Sequence, residues 1–199
     1  MIVRILAAAA IVTTVVTIPA SAQTQRLRGE IQRVEGTTIF AKARDGSAVT
    51  VKLAENGVIT AAYKAALADI HAGDYIGSGA IPQPDGSQKA LEVHIFAASM
   101  RGQGDGHRPW NGAPNSTMTN GAVESVVASV DGPVLAIKYK DGEKKIVVGP
   151  DTPIVRYEVG NMADLKAGAA FSVVAATKQP DGTFTAPRIT VGREGGAPP

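Results

Sequence analysis

Three histidines, His71, His94 and His107, are the side chains best suited to hold a metal, and His107 has a carboxylate two residues away, Asp105. A divalent transition ion takes about four ligands from elements that converge. With no His-x-His, no His-Glu-x-x-His and no cysteine, the spacing predicts no metal, and His107, Asp105 and His94 are the candidate ligands were one to be held. His71 falls in a turn-like run, Asp69 to Gly73, and reads as a solvated residue. His94 stands in Leu91-Glu92-Val93-His94-Ile95, where alternation sends Val93 and Ile95 inward and Glu92 and His94 outward.

Acyl-transfer chemistry would need a nucleophile, a base and an orienting group, and one trace of it is a Gly-x-Ser-x-Gly elbow. The chain has none. Gly77-Ser78-Gly79 reads as a strand segment with a bulge or a close approach, and the carboxylates fall on turns and outward strand positions. Gly102-x-Gly104-x-Gly106 is followed by Arg108-Pro109-Trp110 instead of a helix start, so it is no phosphate cradle. The residues thus predict neither an enzyme nor a cofactor. The lone Trp110 is the side chain most suited to a contact, with Arg108 and His107 beside it. It either packs into a groove between domains or meets a ligand, and a loop tryptophan that anchors its own loop favours packing.

The N-terminus bounds the compartment. Arg4 precedes an apolar run, Ile5 to Ile18, and Pro19-Ala20-Ser21-Ala22 supplies a small-x-small cleavage pattern, which predicts a signal peptide over 1–22. About 14 residues at about 1.5 Å each reach about 21 Å, too short for a hydrocarbon core of about 30 Å. The expected product is periplasmic or secreted and does not span a membrane. Without Arg4 the charge is 19 Lys+Arg against 18 Asp+Glu, which gives no footprint for nucleic acid. Nine aromatics without a basic cluster point the same way.

The elements that must position these residues come as a repeat spaced by 95 to 96 residues. Val34-Glu35-Gly36 returns as Val130-Asp131-Gly132, Asp69-Ile70-His71-Ala72-Gly73 as Asp164-Leu165-Lys166-Ala167-Gly168, and Gln83-Pro84-Asp85-Gly86 unchanged at 179–182. Within each copy the period is two: Ile39 and Ala41 alternate with Phe40 and Lys42, and Leu135 and Ile137 with Ala136 and Lys138. Asp45-Gly46, Asp141-Gly142, Asp85-Gly86 and Asp181-Gly182 supply hairpin turns. Ala61 to Ile70, rich in Ala, Leu and Lys, predicts a short helix after a third strand over Ala48 to Leu53. The expected fold is all-β with one short helix per repeat: two tandem small OB-like barrels, or open β-rolls, over 26–99 and 119–192. A Gly/Pro-rich linker over 100–118 allows no regular element, and a flexible tail covers 193–199. The turn at Gly168-Ala169-Ala170 departs from Gly73-Asp74-Tyr75, so the two are expected to differ.

The paired strand, Asp-Gly turn, Asp-Leu-Lys-Ala-Gly pattern, with Gly-His-Arg-Pro-Trp and then Ser116-Thr117-Met118-Thr119-Asn120 between the copies, resembles exported bacterial proteins carrying the domain of unknown function 5666. The resemblance covers nearly all of the chain after 22 and implies an all-β, extracytoplasmic module without an established activity. A non-enzymatic binding or accessory module for a small ligand or an envelope protein is the function expected. The alternatives are a metal-linked accessory protein of a transport system and a structural envelope-interaction protein.

Overall fold

The computed structural model describes residues 24–130 and 132–198; the expected signal peptide lies outside them. Twelve strands form: β1 (Thr24–Glu35), β2 (Thr38–Ala43), β3 (Ala48–Ala65), β4 (Tyr75–Pro82), β5 (Gln88–Phe96), β6 (Gly106–Pro109), β7 (Thr117–Val127), β8 (Val134–Tyr139), β9 (Gly142–Val147), β10 (Ile154–Val159), β11 (Ala170–Lys178) and β12 (Phe184–Arg193). The chain is all-β, with single 3₁₀ turns at Leu67–Asp69, Ala98–Met100 and Met162–Asp164. Among the described residues no helix is long and apolar enough to cross a membrane.

The alternation read in the sequence holds: Ile39, Ala41, Leu135 and Ile137 are buried. Gly46, Gly86 and Gly182 take the positive φ their turns need, at 89°, 85° and 82°. The aspartate before each glycine accepts hydrogen bonds from the backbone N–H and the hydroxyl of Ser47, Ser87 or Thr183, which holds its carboxyl below the usual range.

The helix expected over 61–70 is instead strand to Ala65, and this changes how the repeats close. Val58, Ile59, Thr60 and Tyr63 favour extended backbone, and residues 59–62 are buried because β12 flanks them in parallel and β10 antiparallel. At about 3.3 Å per residue, the 18 residues of β3 reach roughly 60 Å, which carries the chain out of one barrel and into the next.

The repeats 26–99 and 119–192 are therefore not the units that close. One five-strand ring joins β1, β2 and β3 to β12 and β11, and the other joins β7, β8 and β9 to β5 and β4. Each barrel takes three strands from one copy and a hairpin from the other, a strand exchange within one chain. Both cores mix the copies: Ile31 and Val51 pack with Phe171 and Ile189, and Leu135 and Ile146 with Ile76 and Val93. The exchange is reciprocal in detail. Gly73 and Asp74 bond to Val123, while Gly168 and Ala169 bond to Ile31, so the two turns expected to differ have the same backbone pairing.

A pseudo-twofold axis relates the halves. Ala62 pairs antiparallel with Tyr157, 95 residues on, and Ala61 with Glu158 as Tyr63 does with Arg156. The spacing of 95 to 96 is thus the signature of the axis, since equivalent residues meet where it passes.

Two further expectations are corrected. The linker carries a strand, β6, because Gly106 to Pro109 find a partner edge on β7 and Pro109, at its end, forfeits only a terminal bond. The tail packs instead of fraying: Gly196 lies against the Ala62 carbonyl of β3, where only a residue without a side chain fits.

Candidate functional site

Glu92 and His94 stand two apart on β5 and so share one face, as the alternation predicts. That face is not solvated. Both residues are buried, because β10 pairs along β5 and the outer faces of β1, β11 and β12 of the other barrel close over it. The result is a cavity of about 320 Å³ between the barrels. Thr190, the repeat counterpart of His94, lines the same cavity together with Thr60 and Ser172, so equivalent positions of the two copies converge there.

The cavity gathers six of the eleven buried polar residues among those described: Thr60, Glu92, His94, Asn120, Ser172 and Thr190. Such groups are normally hydrogen-bonded, and a buried one left alone costs ~1–3 kcal/mol. Four side-chain atoms among the described residues are buried without a partner: Arg26 Nε, Arg28 Nε, His94 Nε2 and Asn120 Oδ1. Three belong to residues lining this cavity, and Arg28 neighbours it, within the electrostatic reach of Glu92 and Arg26. His94 Nε2 lies 3.1 Å from Glu92 Oε1, but off the line that a hydrogen bond needs.

Aromatic rings form the walls. His94 lies 4.8 Å from Tyr157 between centroids and meets Phe96 edge-on at 6.5 Å. Burial, and then the charge of Glu92, pushes the Tyr157 phenol up, so it stays a neutral donor. The guanidiniums of Arg26, Arg108 and Arg188 complete the lining, with Arg188 Nη1 donating to Thr60 Oγ1 at 3.3 Å.

Trp110 reaches this site from the connection between the repeats. Its six-membered ring packs on Gly79, where a Cβ would come within 2.6 Å of the ring, and this explains the small-residue run in β4. A bulge lies there too, between Gly79 and Ala80. Arg26 lies over the ring at 5.4 Å and donates from Nη2 to Asn111 Oδ1. Ser116 ties the loop shut by accepting from the Trp110 N–H through its carbonyl and donating from its hydroxyl to Ala113 O. Packing and lining are therefore one placement. Trp110→Ala should cost about 2 kcal/mol, less than a fully buried aromatic because the residue is only partly buried, and lower the melting temperature by roughly 4–8 °C. A melting curve unchanged within a degree would show that the ring anchors nothing.

The three candidate metal ligands are not brought together. Asp105 accepts from the Tyr75 hydroxyl at 3.2 Å and from the Lys140 N–H at 2.9 Å. Burial, then Asp105, raises the Tyr75 phenol to about 12. His107 Nδ1 meets Thr119 Oγ1 at 2.8 Å and its ring stacks on Tyr139, while burial and then Lys144 lower its pKa. Only His94 lines the cavity between the barrels. No group of three His, Cys, Asp or Glu positioned for a metal occurs among the described residues. Arg108 lines the cavity, whereas its neighbour His107 does not.

Sequence reading missed Glu92, Asn120, Arg26, Arg188 and Thr60 as site residues. The signal for Glu92 and His94 was present as a charged pair on one strand face, but nothing local tells a solvated face from one that a second barrel covers. A larger cleft of about 690 Å³ lies beside Pro133, Pro150 and Pro153, but Lys64 and Thr152 are its only polar side chains among the described residues, so no groups converge there.

Searches against known protein families, curated proteins and solved structures find no match for the chain, so the resemblance to the exported proteins rests on the residues that carry it.

Proposed function

We propose that the protein is a non-enzymatic binding module of the cell envelope or the medium, exported through the segment 1–22, that holds a small molecule between its two barrels. One observation carries this reading: of the four buried side-chain atoms without a partner among the described residues, three belong to residues that line one cavity, where a ligand would satisfy them. The ring order, first-second-third-fifth-fourth strand with the third and fifth parallel, supports an OB-like assignment for each barrel. Among the described residues His94 Nε2 is bonded to no hydroxyl of the lining, so no base is engaged with a nucleophile there, which favours binding over turnover.

A thermal-shift screen of residues 23–199 against neutral sugars, amino acids, organic acids and metal ions tests this. A true ligand at 100 times its Kd adds ~2.7 kcal/mol and should raise the melting temperature by several degrees. Val174→Trp, at an exposed rim position, should abolish that rise and leave the unliganded melt unchanged. No stabilisation by any class, with an envelope protein captured instead, would replace this reading by a structural one.

A further inference from the structure

We propose that the molecule held between the barrels is a small hydroxylated carboxylate, an inference that rests on the binding role above and names its ligand class. The unpartnered atoms sort by chemistry. Arg26 Nε is a donor, and the neighbouring Nη2, which gives one hydrogen to Asn111 Oδ1, has a second with which the Nε–H edge forms the fork that takes a carboxylate. Asn120 Oδ1 is an acceptor, since Asn120 Nδ2 is already spent on Gln103 O at 2.9 Å. Glu92 is a second acceptor: it is buried, its Oε1 lies 3.1 Å from His94 Nε2 off the hydrogen-bonding line, and the rest of its carboxylate is open to a donor. A ligand that satisfies the set must bring a carboxylate for the arginines and a hydroxyl donor for Asn120 and Glu92.

Charge points the same way. Arg26, Arg108 and Arg188 outnumber the single carboxylate of Glu92 around the cavity, so the site attracts an anion. A simple anion would leave Asn120 Oδ1 and Glu92 unmatched, and a neutral polyol would leave the guanidiniums unmatched; either mismatch weakens binding. Thr60, Ser172 and Thr190 on the lining can both give and accept, which suits a molecule with several hydroxyls. The volume of about 320 Å³ equals roughly ten waters, enough for one sugar ring or a short acid and too little for a chain of them.

Calorimetric titration of residues 23–199 with sodium glucuronate, sodium malate, glucose and sodium acetate tests the assignment. Glucuronate or malate should bind at least tenfold more tightly than glucose and acetate, and which of the two binds separates a sugar acid from an open-chain hydroxy acid. The double variant Arg26→Gln/Arg188→Gln should weaken the preferred acid at least tenfold, and retention within twofold would overturn the assignment. So would glucose or acetate matching both acids, or neither acid binding. If the thermal-shift screen still finds a neutral or cationic ligand that Val174→Trp blocks, the binding role stands and only its ligand class falls; if nothing small binds, both fall.

Discussion

Cut between Gly112 and Ala113, the protein should yield two halves that show no cooperative melt as monomers and that regain the melt of the intact chain when mixed in equal amounts. The reason is the pairing. β4 and β5 bond to β7, β9 and β10, all on the far side of the cut, and β11 and β12 bond to β1 and β3 across it. Separated, each half holds three strands that cannot close a ring and a hairpin without its partner edges, a state with exposed apolar faces and open edges. Self-closure would require residues 54–65 to turn back on themselves and give up the β3 pairing with β10 and β12. Size-exclusion chromatography and thermal denaturation read the result. A half that forms a dimer with itself keeps the exchange and changes only the partner. A half that is monomeric with its own cooperative melt would show that β3 bends and that the exchange is optional.

Gly29→Ala and Gly121→Ala should each destabilise the fold by about 3 kcal/mol, the upper end of the usual cost of overpacking, and lower the melting temperature by roughly 6–12 °C. A Cβ at Gly29 would collide with the Lys42 carbonyl, and one at Gly121 with the carbonyl of Lys138, the repeat counterpart of Lys42. Neither obstacle is a side chain that can swing away. Both are backbone of the neighbouring strand, held in a ladder by the β1–β2 and β7–β8 pairing. Each first strand crosses close over the second at this point, and the same solution recurs in both barrels. Neither glycine has a positive φ, so the penalty is collision and not backbone strain. A drop of less than 2 °C would mean that β1 or β7 lifts away from its neighbour at little cost.

The two predictions rest on features of different legibility. The glycines of the Asp-Gly turns announced themselves by their neighbours, whereas Gly29 and Gly121 carry no local signal. Their requirement arises only once a second strand is laid across them. Trp110 stood out because it is the one tryptophan in a Gly/Pro-rich stretch, yet the surface it packs on, Gly79, lies 31 residues earlier in another strand. His94 and Glu92 were placed on the correct face of β5 and assigned the wrong surroundings, since alternation separates two faces without saying what covers either.

By itself the sequence determined the all-β class, the alternating inner faces and the hairpin corners, because each follows from side-chain period and from residues that tolerate particular φ angles. Tertiary structure alone decided which hairpin completes which barrel. The two copies present near-equivalent edges, so local pattern is blind to whether β1 pairs with β4 or β11. The choice falls to the end of β3, where the alanines and lysine of 61–65 favour a helix locally but pairing with β10, and with β12 as far as Tyr63, holds them extended. The cavity follows from that same choice, because the exchanged hairpins are what bring Glu92, His94 and Thr190 to one place.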